Sequence, residues 1–388
     1  MKGDRFCTFS IRFEDAEYDE TPFQRAVVAR IGSDHREVVV RREDIAGAFP
    51  AVVAHAERPL LRTAAAPLFL LSRLVHDSGI KVVLTGEGAD EMFAGYDLFR
   101  EGKVRRFWGR RPSSTLRPRL LERLYPYLAR SPVAQQAMAR EFFGKDLAEW
   151  AAPGFAHQTR WQPTAALQRL FSEDVRREAR AVNVVGRLLG SLPGPFPSWT
   201  SLAQDQYLEV RTLLSGYLLS SQGDRMLMAH SVEGRFPFLD TRVVELANSL
   251  PAGFLLCGLD EKHILKRVAE GRVPDEVLRR PKQPYRAPDA LSFVGAGSPD
   301  WVGAIMEERA IAAAGIFEPG SVARLWAKCQ AGAGGKQFSN ADNMALVGVL
   351  STGLLHEELV RKRPARGPAV KFRTLVDRAP GVPAPPSN

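Results

Sequence analysis

Hydrophobic and polar positions along the first hundred residues alternate in the manner of an α/β protein. Segments rich in β-branched and aromatic residues predict three strands, at 6–13, 35–40 and 80–84, the last of them buried. Apolar residues at helical spacing predict helices over 19–31 and 67–78, each followed by a glycine suited to end it. This alternation predicts one parallel sheet with crossover helices.

The pattern divides the chain into four regions. Residues 1–99 form the α/β part, and residues 100–200 are rich in arginine, interrupted by proline and predicted to be helical. Residues 201–360 are predicted to be mostly helical. Residues 361–388 carry many prolines and basic side chains and predict a disordered tail.

The positive charge is local. The 388 residues carry a net charge of +9, and the tail 361–388, with seven basic residues and one acidic residue, supplies +6 of it. A second cluster, Arg100 to Arg123, holds nine basic residues and two glutamates. Neither cluster interleaves its charges with aromatic stacking residues, so the pattern favours a solvated basic surface over nucleic-acid binding.

Other features limit the class of protein. No apolar run is long enough to span a membrane, and the first residues carry no apolar leader segment. The cysteines, Cys7, Cys257 and Cys329, are too widely spaced for a disulfide framework or a metal cluster. We therefore expect a cytoplasmic protein whose cysteines are small buried hydrophobic residues.

The segment 85–91, Thr-Gly-Glu-Gly-Ala-Asp-Glu, directly follows the predicted strand 80–84. It should lie at the carboxyl edge of the sheet, where open α/β folds bind ligands. Its glycines allow a close approach of the backbone to a ligand, and Glu87 and Asp90 could serve Mg²⁺ or proton transfer. The alternative interpretation is an ordinary strand-to-helix turn with acidic residues at the helix N-terminus.

Four segments in order resemble the glutamine-hydrolysing asparagine synthetases. Residues 83–96 resemble the family signature Ser-Gly-Glu-Gly-Ala-Asp-Glu-x-x-x-Gly-Tyr. The other matches are the strand 8–13, the block 224–240, and Lys262 followed by the loop 280–285. The resemblance spans residues 6 to 290 and implies an ATP-pyrophosphatase-type (adenine nucleotide α-hydrolase-like) domain with a parallel sheet and large helical additions.

The family activates aspartate with ATP to form β-aspartyl-AMP, from which ammonia displaces AMP. The resemblance implies that 1–99 is a partial nucleotide-binding core and that 279–288 is a late catalytic loop. It implies an ATP site at Ile11, Thr85 and Gly86, a Mg²⁺ ligand at Asp90, and catalytic roles for Glu87 and Lys282. Residues that would support the site without touching substrate are Asp224, Arg225, Glu233, Arg235 and Lys262. Asp224 and Arg225 are alternatively a structural ion pair, and Asp240 is expected to cap a helix starting near Thr241.

The departures from the family are equally informative. The 388 residues contain no match to the pyrophosphate-binding loop Ser-Gly-Gly-x-Asp-Ser, and Lys2 stands where the glutaminase domain has its cysteine nucleophile. We therefore expect a truncated or split synthetase that lacks the central strand and the glutaminase domain. Alone, it should neither hydrolyse glutamine nor form β-aspartyl-AMP.

The expected substrates are aspartate, ATP and ammonia or glutamine, and an upstream polypeptide with the glutaminase domain and the phosphate loop is the expected partner. Three alternatives stay open, one of which is a basic adaptor that uses the tail 361–388 and the cluster Arg100–Arg123. Another is a non-catalytic relic or partner subunit of the family. The third is a related adenylating enzyme with another acceptor, such as a β-lactam synthetase or a lasso-peptide cyclase.

Overall fold

A computed structural model describes residues 6–15, 18–126, 128, 133–280, 287–334 and 338–362. The tail beyond residue 362 and Lys282 lie outside the described residues. The strands are β1 (Cys7–Phe13), β2 (Asp34–Val40), β3 (Val82–Leu84) and β4 (Glu233–Arg235). The α-helices in the first half of the chain are α1 (Thr21–Ile31), α2 (Arg42–Ala56), α3 (Ala65–Asp77), α4 (Ala89–Met92), α5 (Asp97–Gly109), α6 (Leu121–Leu124), α7 (Val133–Phe143), α8 (Gln158–Ala165), α9 (Glu173–Arg180) and α10 (Val184–Gly190).

In the described part of the second half of the chain, the regular elements are helices, with β4 as the one strand. Its α-helices are α11 (Ser201–Glu209), α12 (Arg225–Met228), α13 (Thr241–Ser249), α14 (Ala252–Leu255), α15 (His263–Ala269), α16 (Asp275–Arg279), α17 (Asp300–Met306), α18 (Glu308–Ala314), α19 (Pro319–Ala331) and α20 (Asn340–Leu355). A π-helical stretch, Val210–Asp224, joins α11 to α12, and a second one, His356–Arg361, follows α20. Short 3₁₀ turns lie at Arg117–Leu120, Leu147–Glu149, Phe155–His157, Ala166–Leu170, Phe196–Ser198, Pro237–Leu239 and Ala290–Ser292.

The strands pair in parallel, as the alternation predicts, but they form two separate ladders. β1 pairs with β2 from Cys7 opposite Asp34 to Phe13 opposite Val40. β3 pairs with β4, which the sequence pattern did not predict because it is only three residues long. The prediction of one continuous sheet is therefore wrong for the described residues, where no strand joins β1 to β3.

Helix α3 connects the two ladders. It packs on β1 and β2 and leads through a four-residue turn into β3, and α12 packs on both α3 and β4. The prediction of a buried strand at 80–84 is also wrong, because Leu84 is 73% exposed and Val82 is 41% exposed. In the described structure β3 has a neighbouring strand on one edge only, so its apolar side chains stay in contact with solvent.

The predicted helices are present, and their ends follow from local chemistry. α1 ends at Gly32, which takes the left-handed conformation (φ 63°) that suits glycine. α2, which the spacing did not predict, begins with the Asp44 carboxylate accepting a hydrogen bond from the backbone N–H of Arg41 at 2.9 Å. α13 begins after Asp240, whose carboxylate accepts from the N–H of Arg242 at 3.0 Å, so the predicted cap is confirmed.

The main hydrophobic core joins residues from both ends of the chain. It contains Ile11 and Phe13 of β1 together with buried residues of α2 and α3, and these pack against helices from the 290–355 region. Two smaller clusters lie around α4, α5, α13 and α14, and around α5, α6 and α7. Regions 1–99 and 201–360 thus share one core, while the boundaries at residues 99 and 200 stay predictions.

Part of the basic cluster Arg100–Arg123 is buried, so a solvated surface is the wrong interpretation for those residues. Arg105 is 1% exposed and donates to the carbonyl oxygens of Phe143, Lys145 and Phe155 at 2.9–3.0 Å. Burial lowers the pKa of Arg105 to about 10, which leaves it charged at neutral pH. Arg106 forms a two-pronged ion pair with the buried Asp205.

The three cysteines differ in their surroundings. Cys329 is fully buried, as predicted, and Cys7 is half-buried. Cys257 is exposed, so the prediction of a buried position is wrong there, because Cys257 lies in a surface turn that bridges to Asp260. In the described part of the chain, every helix is too short or too polar to cross a membrane.

Candidate functional site

Segment 85–91 lies at the carboxyl end of the β3–β4 ladder. The backbone N–H of Thr85 donates to the carbonyl oxygen of Arg235 at 3.0 Å, which extends the ladder by one step. The chain then turns at Gly88 (φ 92°) into the short helix α4. This is the expected position at a strand end, where open α/β folds bind ligands.

Two features require glycine at position 88, namely its positive φ angle and the close packing around it. A Cβ atom there would lie 2.3 Å from Cδ2 of Leu239, in the turn that follows β4. Segment 85–91 is therefore packed directly against the block 224–240. Two of the sequence segments that carry the family resemblance meet at this point of the fold.

Glu87 and Thr85 form one unit, since the Thr85 hydroxyl donates to the Glu87 carboxylate. Both side chains are half-buried, and Gly86 between them is exposed. The exposed backbone of Gly86 leaves room for a ligand at this point. A Cβ at Gly86 would meet no atom within 4 Å, so the space in front of it is open among the described residues.

Asp90 pairs with Lys262. The Lys262 Nζ lies 3.0 Å from the Asp90 Oδ1, and the two side chains are 24% and 21% exposed. Lys262 has a left-handed backbone (φ 49°) and donates its N–H to the carbonyl oxygen of Phe93 at 3.1 Å. These two interactions fix the start of α15 against the end of α4.

Asp90 could hold Mg²⁺ only together with a bound nucleotide that supplies further oxygen atoms to the metal. Mg²⁺ in nucleotide sites takes one or two carboxylates and completes its shell with phosphate oxygens and water. Among the residues that the structure describes, no three His, Cys, Asp or Glu side chains converge. Asp90 supplies a single carboxylate, so a Mg²⁺ ion held there would need further ligands from a nucleotide and water.

Glu91, next to Asp90, is a buried carboxylate that the sequence pattern did not distinguish from its neighbours. It is 1% exposed and accepts a hydrogen bond from the Tyr96 hydroxyl at 2.8 Å. Burial raises the pKa of Glu91, and the bond from Tyr96 offsets only part of this. Burial likewise raises the pKa of Tyr96.

The other predicted residues lie in different surroundings. Glu233 and Arg235 form an exposed ion pair on one face of β4, with Nε and Oε1 2.8 Å apart. Ile11 is in the other ladder, where it is buried and its carbonyl oxygen accepts from the Gln24 side chain at 3.0 Å. The structure therefore does not bring Ile11 into the same ladder as Thr85.

The interpretation of Asp224 and Arg225 as an ion pair is wrong. Arg225 binds the Glu57 carboxylate and the carbonyl oxygen of His55, both at 2.9 Å. Asp224 as a whole residue is exposed, while partial desolvation of its carboxyl group by neighbouring atoms raises its pKa. Adjacent residues of a helix point in different directions, which explains why these two do not meet.

The late loop is described only at its ends. Arg280 forms an ion pair with Glu20 at 2.8 Å and lies over the ring of Phe23, so the loop begins on the side of α1. Lys282 lies outside the described residues, and its catalytic role stays a prediction.

Comparison with known proteins identifies the family. The family model described as asparagine synthase matches residues 2–357. A Mycobacterium tuberculosis protein named putative asparagine synthetase (glutamine-hydrolyzing) is 30% identical over 299 residues, which cover 73% of this chain and 41% of that protein. Asparagine synthetase (glutamine-hydrolyzing) 1 of Bacillus subtilis is 28% identical over 285 residues, 72% of this chain and 42% of that protein.

A third relative has a different name. Amidase chyE of Penicillium rubens is 28% identical over 297 residues, 72% of this chain and 43% of that protein. The chain thus spans less than half the length of these relatives. Since the family model covers most of its length, the chain belongs to the asparagine synthase family.

Proposed function

We propose that this chain is the synthetase part of an ATP-dependent ligase that converts aspartate to asparagine, built on an ATP-pyrophosphatase-type domain. A carboxylate oxygen of aspartate attacks the α-phosphorus of ATP and pyrophosphate leaves. Ammonia, supplied directly or from glutamine, then attacks the acyl carbon of β-aspartyl-AMP and AMP leaves. The observation that carries this proposal is the loop 85–91 at the β3–β4 carboxyl edge, with Asp90 3.0 Å from Lys262.

The residues divide the work by charge. ATP brings several negative charges, and adenylation adds charge at the α-phosphorus in the transition state. Asp90 would hold Mg²⁺, which shields the phosphates when bound. Lys262 is a cation already at the site, and the exposed Gly86 allows the nucleotide to approach the backbone. Lys282 is proposed as a second cation, and Glu87 as the carboxylate beside the acyl intermediate.

We propose further that another polypeptide segment completes the sheet between β1 and β3. Both strands have one edge with no neighbouring strand in the described structure, and α3 packs on β1 and leads directly into β3. The exposed Val82 and Leu84 are typical of an edge strand that pairs with an added strand. By family resemblance that segment would carry the Ser-Gly-Gly-x-Asp-Ser loop.

The test is ATP–pyrophosphate exchange in the presence of aspartate. The 388 residues alone should give none, and the same chain extended by or mixed with a polypeptide carrying Ser-Gly-Gly-x-Asp-Ser should give robust exchange. Exchange by the 388 residues alone would overturn the need for a completing segment. No exchange in either case, with aspartate or any other carboxylate, would overturn the ligase.

Because a relative of comparable identity is named an amidase and not a synthetase, we consider a second candidate, a ligase with the same adenylation step but another carboxylate or amine. Exchange assayed with a panel of amino acids and carboxylic acids separates the two. A carboxylic acid that supports exchange better than aspartate would favour the second candidate.

A further inference from the structure

Helix α4, which carries Asp90, is too short to hold itself together. It spans four residues, and an isolated turn of this length is unstable in water. Its last carbonyl groups have no partner within the helix. The side-chain amide of Gln206, on α11, donates to two of them, to the carbonyl oxygen of Glu91 at 2.7 Å and to that of Met92 at 3.1 Å.

Helix α11 itself is firmly held on both sides of Gln206. Asp205 is 1% exposed and binds Arg106 of α5 through both oxygens, at 2.6 and 2.7 Å. Glu209, also 1% exposed, binds Arg160 at 2.6 Å and His157 at 3.0 Å. Because these buried pairs fix α11 to the 100–200 region, the position of the Gln206 amide is fixed too.

The other contacts of α4 leave Gln206 with a distinct task. Tyr96 holds the side chain of Glu91, and Lys262 holds the side chain of Asp90. The side-chain amide of Gln206 holds the carbonyl groups at the end of α4. A rotation of α4 about its axis would move the Asp90 carboxylate and would first have to break these two bonds.

We propose that Gln206 is a positioning residue that sets the direction of the Asp90 carboxylate toward a phosphate-bound cation. The inference rests on the proposed function, because it takes Asp90 as the magnesium ligand. It also links the 100–200 region to the site through α11. Nothing in the local sequence around Gln206 indicates such a role.

The experiment compares Gln206→Met with Gln204→Met in the full chain. Methionine keeps the length and helical preference of glutamine but cannot donate. Gln204 is the matched control, since its amide also donates to two carbonyl groups, those of Phe196 and Trp199, but away from α4. Gln206→Glu is the second variant, since its carboxylate would face the same carbonyl oxygens.

Two measurements are made on each variant. The first is hydrogen exchange at the amides of Met92, Phe93 and Gly95, which are bonded within this turn. The second is the ratio of ATP affinity with Mg²⁺ to ATP affinity with EDTA, by calorimetry on the chain supplemented with the polypeptide that carries Ser-Gly-Gly-x-Asp-Ser. Loss of one or two hydrogen bonds should lower the ratio about three- to tenfold in Gln206→Met and further in Gln206→Glu. ATP affinity in EDTA should stay the same.

The outcomes separate this inference from the proposed function. Faster hydrogen exchange in this turn together with a lower Mg²⁺/EDTA affinity ratio, in the Gln206 variants only, would support the inference. Unchanged hydrogen exchange in Gln206→Met would overturn the inference. An equal fall of the affinity ratio in Gln204→Met would overturn it as well. A wild-type ratio near one would instead overturn the magnesium role of Asp90, and with it the cation part of the inference.

Discussion

Lys262 and Asp90 form an ion pair of 3.0 Å between Nζ and Oδ1, with both side chains largely withdrawn from solvent. The pair joins the start of α15 to the turn after β3, and Gly95 lies beneath it. A Cβ at Gly95 would be 2.1 Å from the Asp90 Oδ1 and 2.5 Å from the Lys262 Cε. Partial burial makes such a pair more sensitive to geometry than an exposed one.

Gly95→Ala should therefore break this ion pair. The added methyl group cannot be accommodated without moving Asp90 or Lys262, and overpacking of this kind costs about 1–3 kcal/mol of unfolding free energy. Urea unfolding measures the cost. Gly47→Ala, in α2 with no atom within 4 Å of the new Cβ, is the control and should be neutral or stabilising. Equal stability of the Gly95 variant and wild type would contradict the described packing.

Asp205→Ala should be among the most destabilising single changes. It would leave the Arg106 guanidinium without its partner in a site where the two side chains are 11% and 1% exposed. Breaking a buried ion pair by removing one partner costs about 3–5 kcal/mol. Asp174→Ala, which removes an exposed partner of Arg177, should cost a small fraction of that. Chemical denaturation of both variants would show whether the two losses differ as expected.

Glu91→Gln should stabilise the protein at neutral pH. Burial raises the pKa of Glu91 above its ordinary value of 4.5, so the folded state binds this proton more tightly than the unfolded chain. The corresponding stability is fully present below about pH 4.5 and is lost as pH rises through the raised pKa. Glutamine removes this loss, and its side-chain oxygen still accepts from Tyr96.

The measurement for Glu91 is the free energy of unfolding of variant and wild type between pH 4.5 and 7. The variant's advantage should grow as the pH rises. Glu245→Gln, on an exposed part of α13, gives the effect of removing a surface carboxylate. An advantage of Glu91→Gln that is constant with pH would show that the charge of Glu91 is not its source.

Leu84→Lys should reduce self-association of the purified chain. Leu84 is 73% exposed on β3. Among the described residues one edge of β3 has no neighbouring strand, so its backbone groups can pair with another strand, and a lysine on an edge strand opposes such pairing. Leu116→Lys is the matched control, because Leu116 is 70% exposed but lies outside any strand. Sedimentation velocity over a range of concentrations compares the two, and an equal effect would point to general hydrophobicity instead.

The three thiols should react in a fixed order with a disulfide reagent at neutral pH. Cys257 is exposed and should react first, and the half-buried Cys7 should follow. Cys329 is fully buried, and burial raises its pKa to about 11, so it should react only after unfolding. Fast reaction of all three thiols in the native protein would contradict the core around α19.

The sequence alone determined several local elements and the position of segment 85–91 at the end of a strand. Strand and helix periodicity predicted β1, β2, α1 and α3, because these elements follow from residue spacing and capping. The segment 85–91 was placed directly after a strand, and the structure confirms that position at the carboxyl end of β3. The cap at Asp240 was also predicted, because capping is a local property.

Only the tertiary structure decided which distant residues meet. Lys262 reaches Asp90, Gln206 caps α4, and Arg225 binds Glu57 rather than its neighbour Asp224. It also separated β1 from β3 and exposed Leu84, although the strand reads as buried from its composition. The burial of a strand and its pairing depend on which distant segments pack beside it. Residue spacing within the strand does not predict those neighbours.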